Sequence, residues 1–182
     1  MSTTGNTTVP PSGHHLLVEL RNDGIYFASF DPLEDDTYQS CSVSFTAKNR
    51  PLCENVKNCV YENPQLLQEY DRTYILVDTS HFTFVPEELE KEEENRLPYY
   101  DFCFSGHDDH VIENHLVLNH AYLLFGVEHE LYTFLCRTFS NPIILHPLAS
   151  LCEYFFLHSR NGNETKAYLH LRKERVDLIV FK

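Results

Sequence analysis

The segment AYLLFGVEHELYTFLCRTFSNPIILHPLASL, residues 121–151, changes its hydrophobic pattern three times. Residues 121–127 form an apolar run of strand length, whereas residues 128–139 repeat apolar side chains at helical spacing. A short apolar run at 141–146 and a second helical pattern at 147–158 follow. The segment therefore predicts strand, helix, strand and helix in that order, which is typical of an α/β fold.

A β-hairpin is predicted on each side of this segment. Residues 15–30 contain two β-rich runs that flank Asn22-Asp-Gly24, where Gly24 accepts the positive φ of a tight turn. Residues 166–181 contain two further runs that flank Arg172-Lys-Glu-Arg175. Since an isolated hairpin is only marginally stable, we expect the second one either to pair with the preceding sheet or to begin a further lobe that the given sequence truncates.

Strand and helix patterns also alternate in the middle of the chain. Pro86 is expected to begin a Glu-rich helix over residues 87–94, which forms either a solvated face or a contact for a basic partner. Further strands are predicted at 41–47, 72–78 and 81–85, and two more within 110–127. Two short helices are predicted between 51 and 70, and Asn63 is expected to cap the second.

These patterns predict one mixed α/β domain at residues 14–160, with an acidic insertion near 86–110. The first 13 residues are small, polar and rich in proline, which predicts a disordered tail without a secretory signal. Six cysteines without a C-x-x-C pair, among them Cys136 and Cys152 in apolar surroundings, are expected to be buried, inert thiols in a reducing cytoplasm.

The charge balance restricts the classes of partner. The chain has 182 residues, 42% of them apolar, with 14 Lys and Arg against 27 Asp and Glu, which gives a net charge of −13. This excess of negative charge disfavours binding to nucleic acids or to anionic membranes. No apolar run approaches the roughly 20 residues of a membrane-spanning helix, so membrane insertion is not expected.

The order of these predicted elements resembles the actin-like ATPase superfamily. Its members, which include sugar kinases, actin and an assembly protein of type IV pili, duplicate a ribonuclease-H-like lobe that opens with a β-hairpin. Residues 121–151 resemble the passage that closes the first lobe in the pilus-type proteins, and residues 166–182 resemble the opening hairpin of the second lobe. The resemblance implies the first, ribonuclease-H-like lobe of an actin-like fold with the start of a second lobe.

The chain resembles more closely a Bacteroidetes family known only as a domain of unknown function. This second resemblance implies the same actin-like fold and a second lobe, but no activity. The matching phrases are YDRTYILVDT at 70–79, FTFVPEEL at 82–89, LFGVEHEL at 124–131 and VDLIVF at 176–181.

The superfamily resemblance implies a place for Mg·ATP. Actin-like enzymes hold phosphates with backbone amides of the two hairpin turns and position Mg²⁺ with acidic residues of the first strands, which makes Glu19, Asp23 and Gly24 the candidates here. The first turn has one glycine beside an acidic side chain, and the second turn, 172–175, has no glycine. Since the chain contains neither G-x-x-x-x-G-K-[ST] nor G-x-G-x-x-G, we expect a relative that has lost the nucleotide and uses no cofactor.

A second candidate site lies in the sequence SGHDDH at 105–110. Imidazole and carboxylate groups are ligands of zinc and manganese, so His107, Asp109 and His110 are candidate metal ligands, the alternative being a polar loop. His115 and His120 are five residues apart, which places them on opposite faces of a strand or about 140° apart on a helix. We therefore do not expect these two histidines to converge.

Other constellations give weaker indications of function. Asp78 ends an apolar strand and is either a catalytic carboxylate or a turn cap, and no nucleophile elbow is present. Tyr99 and Tyr100 form either core or a protein interface. We predict a non-catalytic, cytoplasmic binding or assembly module with a protein partner. The alternatives are a residual nucleotide-binding, kinase-like ATPase and a metal-dependent hydrolase.

Overall fold

The computed structural model describes residues 13–47, 49–89, 96–159, 165–172 and 176–181. The predicted tail up to residue 12 lies outside this range. The described residues form two compact units. Unit 1 takes its residues from Met1–Ser80, His107–His110 and Gly126–Leu145, and unit 2 from His81–Gly106, Val111–Phe125 and His146–Lys182.

The elements alternate along the chain much as predicted. The strands are β1 (His15–Arg21), β2 (Gly24–Phe30), β3 (Gln39–Ser44), β4 (Arg72–Val77), β5 (Phe82–Pro86), β6 (Asp109–Leu116), β7 (Ala121–Glu128), β8 (Ile143–Leu145), β9 (Lys166–Leu171) and β10 (Val176–Phe181). The helices are α1 (Leu52–Glu62), α2 (Leu97–Cys103), α3 (His129–Thr138) and α4 (Pro147–Ser159).

The sheet of unit 1 has the strand order β3-β2-β1-β4-β8. Strand β1 pairs antiparallel with β2 and parallel with β4, and β8 continues the parallel part. In this register Val18 lies beside Ile75, and Leu20 lies beside Val77; all four side chains are buried. One face of the sheet is therefore apolar, and parallel neighbours require crossover connections of the kind that helices supply.

Two amphipathic helices of unit 1 contact each other. Helix α1 buries Val56 and Val60, helix α3 buries Leu131 and Leu135, and both belong to the hydrophobic core. The predicted role of Asn63 was wrong. Its side-chain amide donates a hydrogen bond to the carbonyl of Cys59 at 2.6 Å, so it closes α1, and a single 3₁₀ turn follows in place of a second helix.

Unit 2 contains β5, most of β6 and β7, α2, α4, β9 and β10. In its three-stranded sheet, β7 lies between β5 and β6. Val85 of β5, Leu124 of β7 and Tyr100 of α2 form a buried cluster. Pro86 ends β5 and does not begin an α-helix, because a 3₁₀ turn at Glu87–Leu89 follows it directly. Residues 90–94 of the predicted acidic helix lie outside the described range.

A fully buried histidine precedes α4. The backbone N–H of His146 donates to the side-chain oxygen of Asn114 at 2.8 Å, and its Nδ1 accepts from the N–H of Leu148 at 3.2 Å. The ring also lies 4.8 Å from the ring of Phe82. These contacts satisfy an amide of the first helical turn and fix the start of the helix. Among the described residues, no helix is long and apolar enough to cross a membrane.

Gly24 provides a direct test of the unit 1 sheet. A Cβ atom at this position would lie 2.3 Å from the carbonyl oxygen of Val43 on β3. We expect Gly24→Ala to push the two strands apart and to lower the free energy of unfolding by about 2 kcal/mol. Chemical denaturation checks this, with Ser42→Ala on the neighbouring strand β3 as the control. Unchanged stability in Gly24→Ala would contradict the close approach of β3.

Candidate functional site

The β1–β2 hairpin contains all three predicted nucleotide-site residues: Glu19 lies in β1, Asp23 in the turn, and Gly24 begins β2. The guanidinium of Arg21 lies 2.7 Å from a carboxylate oxygen of Glu19 and 5.3 Å from the ring centroid of Tyr26. The hydrogen bond that Arg21 donates to Glu19 is the main reason that the pKa of Arg21 is raised. The Glu19 carboxylate therefore faces a cation of its own strand.

The glycine of this turn is explained by packing. Gly24 pairs with Ser44, and the backbone of β3 occupies the space that a side chain at Gly24 would need. The carbonyl of Asp23 accepts a hydrogen bond from the N–H of Phe45 at 2.9 Å. The residues at the end of β3 thus pack against the turn. Because Gly24 has no side chain, the backbones of β2 and β3 can lie close together at this point.

In the second hairpin turn, the side chain of Arg172 is held by an ion pair. Arg172 Nε lies 2.7 Å from a carboxylate oxygen of Asp177, which is also 3.2 Å from Nδ1 of His170. Both side chains of the Arg172–Asp177 pair are largely buried. Arg172 is therefore committed to a contact within the hairpin, whereas residues 173–175 lie outside the described range.

The three predicted metal ligands of the 105–110 segment have different surroundings. His107 and Asp109 have potential ligand atoms within 4.8 Å of each other. The ring of His110 stacks on Tyr132 with centroids 3.5 Å apart, and burial, followed by the charge of His129, lowers its pKa. The structure thus brings two predicted ligands together and turns the third towards an aromatic ring.

A different pair of histidines converges. His115 Nε2 lies 2.5 Å from one carboxylate oxygen of Glu87, and His120 Nδ1 lies 3.1 Å from the other. The prediction that His115 and His120 do not converge was wrong. Strand β6 ends at Leu116, and a 3₁₀ turn follows before His120 adopts a left-handed backbone with φ of 50°, so neither strand nor helix spacing applies.

Sequence reasoning also missed Glu87, which was placed in the predicted acidic helix. The available hint was the residue type at position 120, because histidine adopts a left-handed backbone more readily than bulky residues do. Hydrogen bonds from His115, and then from His120, hold the pKa of the Glu87 carboxyl below its usual value. We call Glu87, His115 and His120 the Glu87 cluster.

The structure confirms some of the remaining predictions about cysteines, tyrosines and Asp78 and corrects others. Of the six cysteines predicted to be buried, Cys41, Cys103 and Cys136 are exposed. Burial raises the pKa of the Cys152 thiol to about 11, which agrees with an inert thiol. Tyr100 lies in the core and Tyr99 is partly exposed. Asp78 directly follows β4 and is partly buried.

The strand order β3-β2-β1-β4-β8, with an antiparallel meander beside two parallel strands, defines the ribonuclease-H-like lobe of an actin-like fold. A crystal structure from Bacteroides thetaiotaomicron, described as a protein with an actin-like ATPase fold and unknown function, matches with a TM-score of 0.84 and 29% sequence identity. The match covers 94% of this chain and 66% of that protein, so the chain spans just under two thirds of that relative's length. No curated protein matches the chain.

The family assignment is direct. Residues 5–182 match the family described as "Protein of unknown function (DUF3822)", and because the match includes nearly the whole chain, the protein belongs to this family. The resemblance to a family of unknown function with an actin-like fold is therefore confirmed, together with the mixed α/β fold class.

The depressed pKa of Glu87 predicts a pH-dependent contribution to stability. A carboxyl whose pKa is lower in the folded state stabilises the fold above its unfolded value of about 4.3. This contribution is lost as the pH falls through the folded-state pKa. We expect Glu87→Gln to lower Tm at pH 6 and to lower it less at pH 3. Thermal unfolding of both proteins at the two pH values checks this, and an equal difference at both would contradict it.

Proposed function

We propose that this protein is a non-catalytic binding module of the cytoplasm, which has an actin-like fold, binds no nucleotide and contacts a protein partner. The observation that carries the proposal is an apolar surface on the β9–β10 hairpin. We call this surface the hairpin outer face. It is formed by alternate side chains of the two strands, Ala167, Leu169, Leu171, Val176, Leu178 and Val180.

The strand register makes this face continuous. Leu169 lies opposite Leu178, and Leu171 lies opposite Val176. Leu169 and Leu178 are 64% and 62% exposed, and Leu171 is 73% exposed. Isolated apolar residues at a surface are ordinary, but a contiguous apolar patch indicates a site of interaction.

The other face of the hairpin is held by α4. The ring of Tyr168 stacks on Phe155 with centroids 4.4 Å apart, and Phe181 meets Phe156 edge to face at 5.5 Å. The hairpin is therefore anchored through its inner side. Its outer face is presented on a supported strand pair, which reduces the conformational entropy that binding must overcome.

The chemistry of the face favours one kind of partner. All six side chains that form it are uncharged and apolar, so the partner is a polypeptide that presents an apolar stripe of a helix or strand. Burial of apolar area drives such an association, and its affinity depends little on salt.

The surroundings of the first turn support the absence of nucleotide. The Glu19–Arg21 ion pair and the packing of β3 against Gly24 occupy the groups that the superfamily resemblance implies for Mg·ATP. A residual ATPase, the alternative function, requires these groups to exchange their present contacts for phosphate and metal.

We expect Mg·ATP to leave the thermal stability unchanged. A ligand at 100 times its Kd adds about 2.7 kcal/mol to the apparent stability of a folded protein. Thermal unfolding with Mg·ATP, Mg·ADP and Mg²⁺ alone checks this expectation. A rise in Tm that saturates with Mg·ATP, and is absent with Mg²⁺, would support the ATPase alternative.

Substitutions on the hairpin outer face test the binding surface. We expect Leu169→Glu/Leu178→Glu to reduce the fluorescence of an apolar dye bound to the protein several-fold. Because both side chains are exposed, the free energy of unfolding is expected to change by less than about 1 kcal/mol. The matched control is Leu33→Glu, since Leu33 is 91% exposed and lies in unit 1. Equal dye binding in the double variant and the wild type would show that this face is not the accessible apolar surface.

A further inference from the structure

Strand β3 forms one edge of the unit 1 sheet, because among the described strands it pairs with β2 alone. Its sequence, QSCSVS, contains no charged residue and no proline, and five of its six side chains are exposed. The strand at the other edge, β8, has only three residues. Natural proteins protect a long edge strand with charged residues, proline or a bulge. Strand β3 has none of these devices and is therefore suited to pairing with a further strand.

The register with β2 determines which peptide groups of β3 face outward. The N–H of Phe45 donates to the carbonyl of Asp23 at 2.9 Å, which marks these two residues as a hydrogen-bonded pair. Hydrogen-bonded and non-hydrogen-bonded pairs alternate along an antiparallel ladder, and the pairing continues without a bulge along the whole of β3. The N–H and C=O groups of Ser40, Ser42 and Ser44 therefore point away from β2.

We propose that β3 pairs antiparallel with β3 of a second copy of this chain, with Ser42 on the two-fold axis. Ser42 then lies opposite Ser42 of the other copy, and Ser40 lies opposite Ser44 in both directions. Each of these pairs exchanges two backbone hydrogen bonds, so the outward groups of all three serines are used. An axis at Cys41 or Val43 uses fewer of them. The contact is self-complementary, as a two-fold interface requires, and it joins two five-stranded sheets into one.

The side chains of β3 suit this pairing on both faces of the sheet. On one face serine hydroxyls meet serine hydroxyls, and such cross-strand pairs can hydrogen-bond to each other. On the other face Cys41 of each copy lies opposite Val43 of the other, in the non-hydrogen-bonded position where side chains approach most closely. Because β3 carries no charge, pairing with itself places no like charges opposite each other within the strand.

The charges on either side of β3 favour a second copy in antiparallel orientation. Glu34, Asp35 and Asp36 precede the strand, Arg50 follows it, and all four residues are exposed. An antiparallel contact brings the acidic end of β3 in one copy towards the basic end in the other, whereas a parallel contact brings like charges together. This complementarity counters the repulsion between two copies that each carry a net charge of −13.

Cysteine cross-linking tests the register of the pair. The exposed Cys41, Cys103 and Cys136 are first replaced by serine, and Ser42→Cys is then introduced. Its two thiols face each other with Cα atoms about 5.5 Å apart, within the range of a disulfide. The matched control is Gln39→Cys, because in this register the two copies of residue 39 lie about 20 Å apart. We expect a mild oxidant to convert Ser42→Cys to a covalent dimer at least tenfold faster than Gln39→Cys.

Sedimentation velocity of the chain with its natural cysteines tests whether the dimer forms without a cross-link. We expect self-association that increases with concentration, and Ser42→Lys to weaken it at least tenfold, because two lysines would face each other across the axis. The matched control is Ser140→Lys, which changes the charge equally at an exposed serine of unit 1 outside β3. Circular dichroism checks that each variant is folded.

These results are distinguishable from those for the proposed function, whose surface belongs to β9 and β10. A dimer that Leu169→Glu/Leu178→Glu abolishes and Ser42→Lys leaves intact would place the contact on the hairpin outer face and overturn the pairing through β3. Equal rates of cross-linking at positions 39 and 42, or a monomer at every concentration, would also overturn it.

Discussion

Strand β1 lies between an antiparallel neighbour, β2, and a parallel one, β4, and the alternation of its side chains constrains unit 1 on both faces. Leu16, Val18 and Leu20 are buried, so the residues between them, among them Glu19, lie on the opposite face of the sheet. A register slip of one residue would place the Glu19 carboxylate in the core and expose three apolar side chains. The burial that fixes the sheet also fixes which groups lie on the face beside the first hairpin turn.

Similar alternation has a different result at the other hairpin. In β9 and β10 the outer set of side chains is apolar, whereas the inner set combines apolar and polar residues, and its aromatic members Tyr168 and Phe181 pack on α4. The two hairpins therefore bear on different functional alternatives, nucleotide binding and protein binding. The first turn carries an internal ion pair and a glycine covered by β3, whereas the second hairpin presents an apolar surface. The two hairpins of this chain therefore differ in the groups that they expose.

Much of the fold could be predicted from the sequence because long periodic segments report directly on burial. The hairpins, the strands β4 and β7, and the helices α3 and α4 were predicted within one to two residues. Tertiary context determined the exceptions. Pro86 fits the end of a strand as well as a first helical turn, and α2 has too few residues to show a period. His115 and His120 converge through a left-handed residue that spacing rules do not include, and the meeting of Glu87 with both depends on strand pairing.

We propose that the β1–β2 turn binds no phosphate, because its groups are engaged within unit 1. Residue-resolved amide chemical shifts of the labelled protein during titration with Mg·ATP test it most directly. The account predicts that the amides of Asn22, Asp23 and Gly24 keep their resonance positions at millimolar nucleotide. Shifts at these three amides that saturate with Mg·ATP, and that inorganic phosphate does not reproduce, would contradict it.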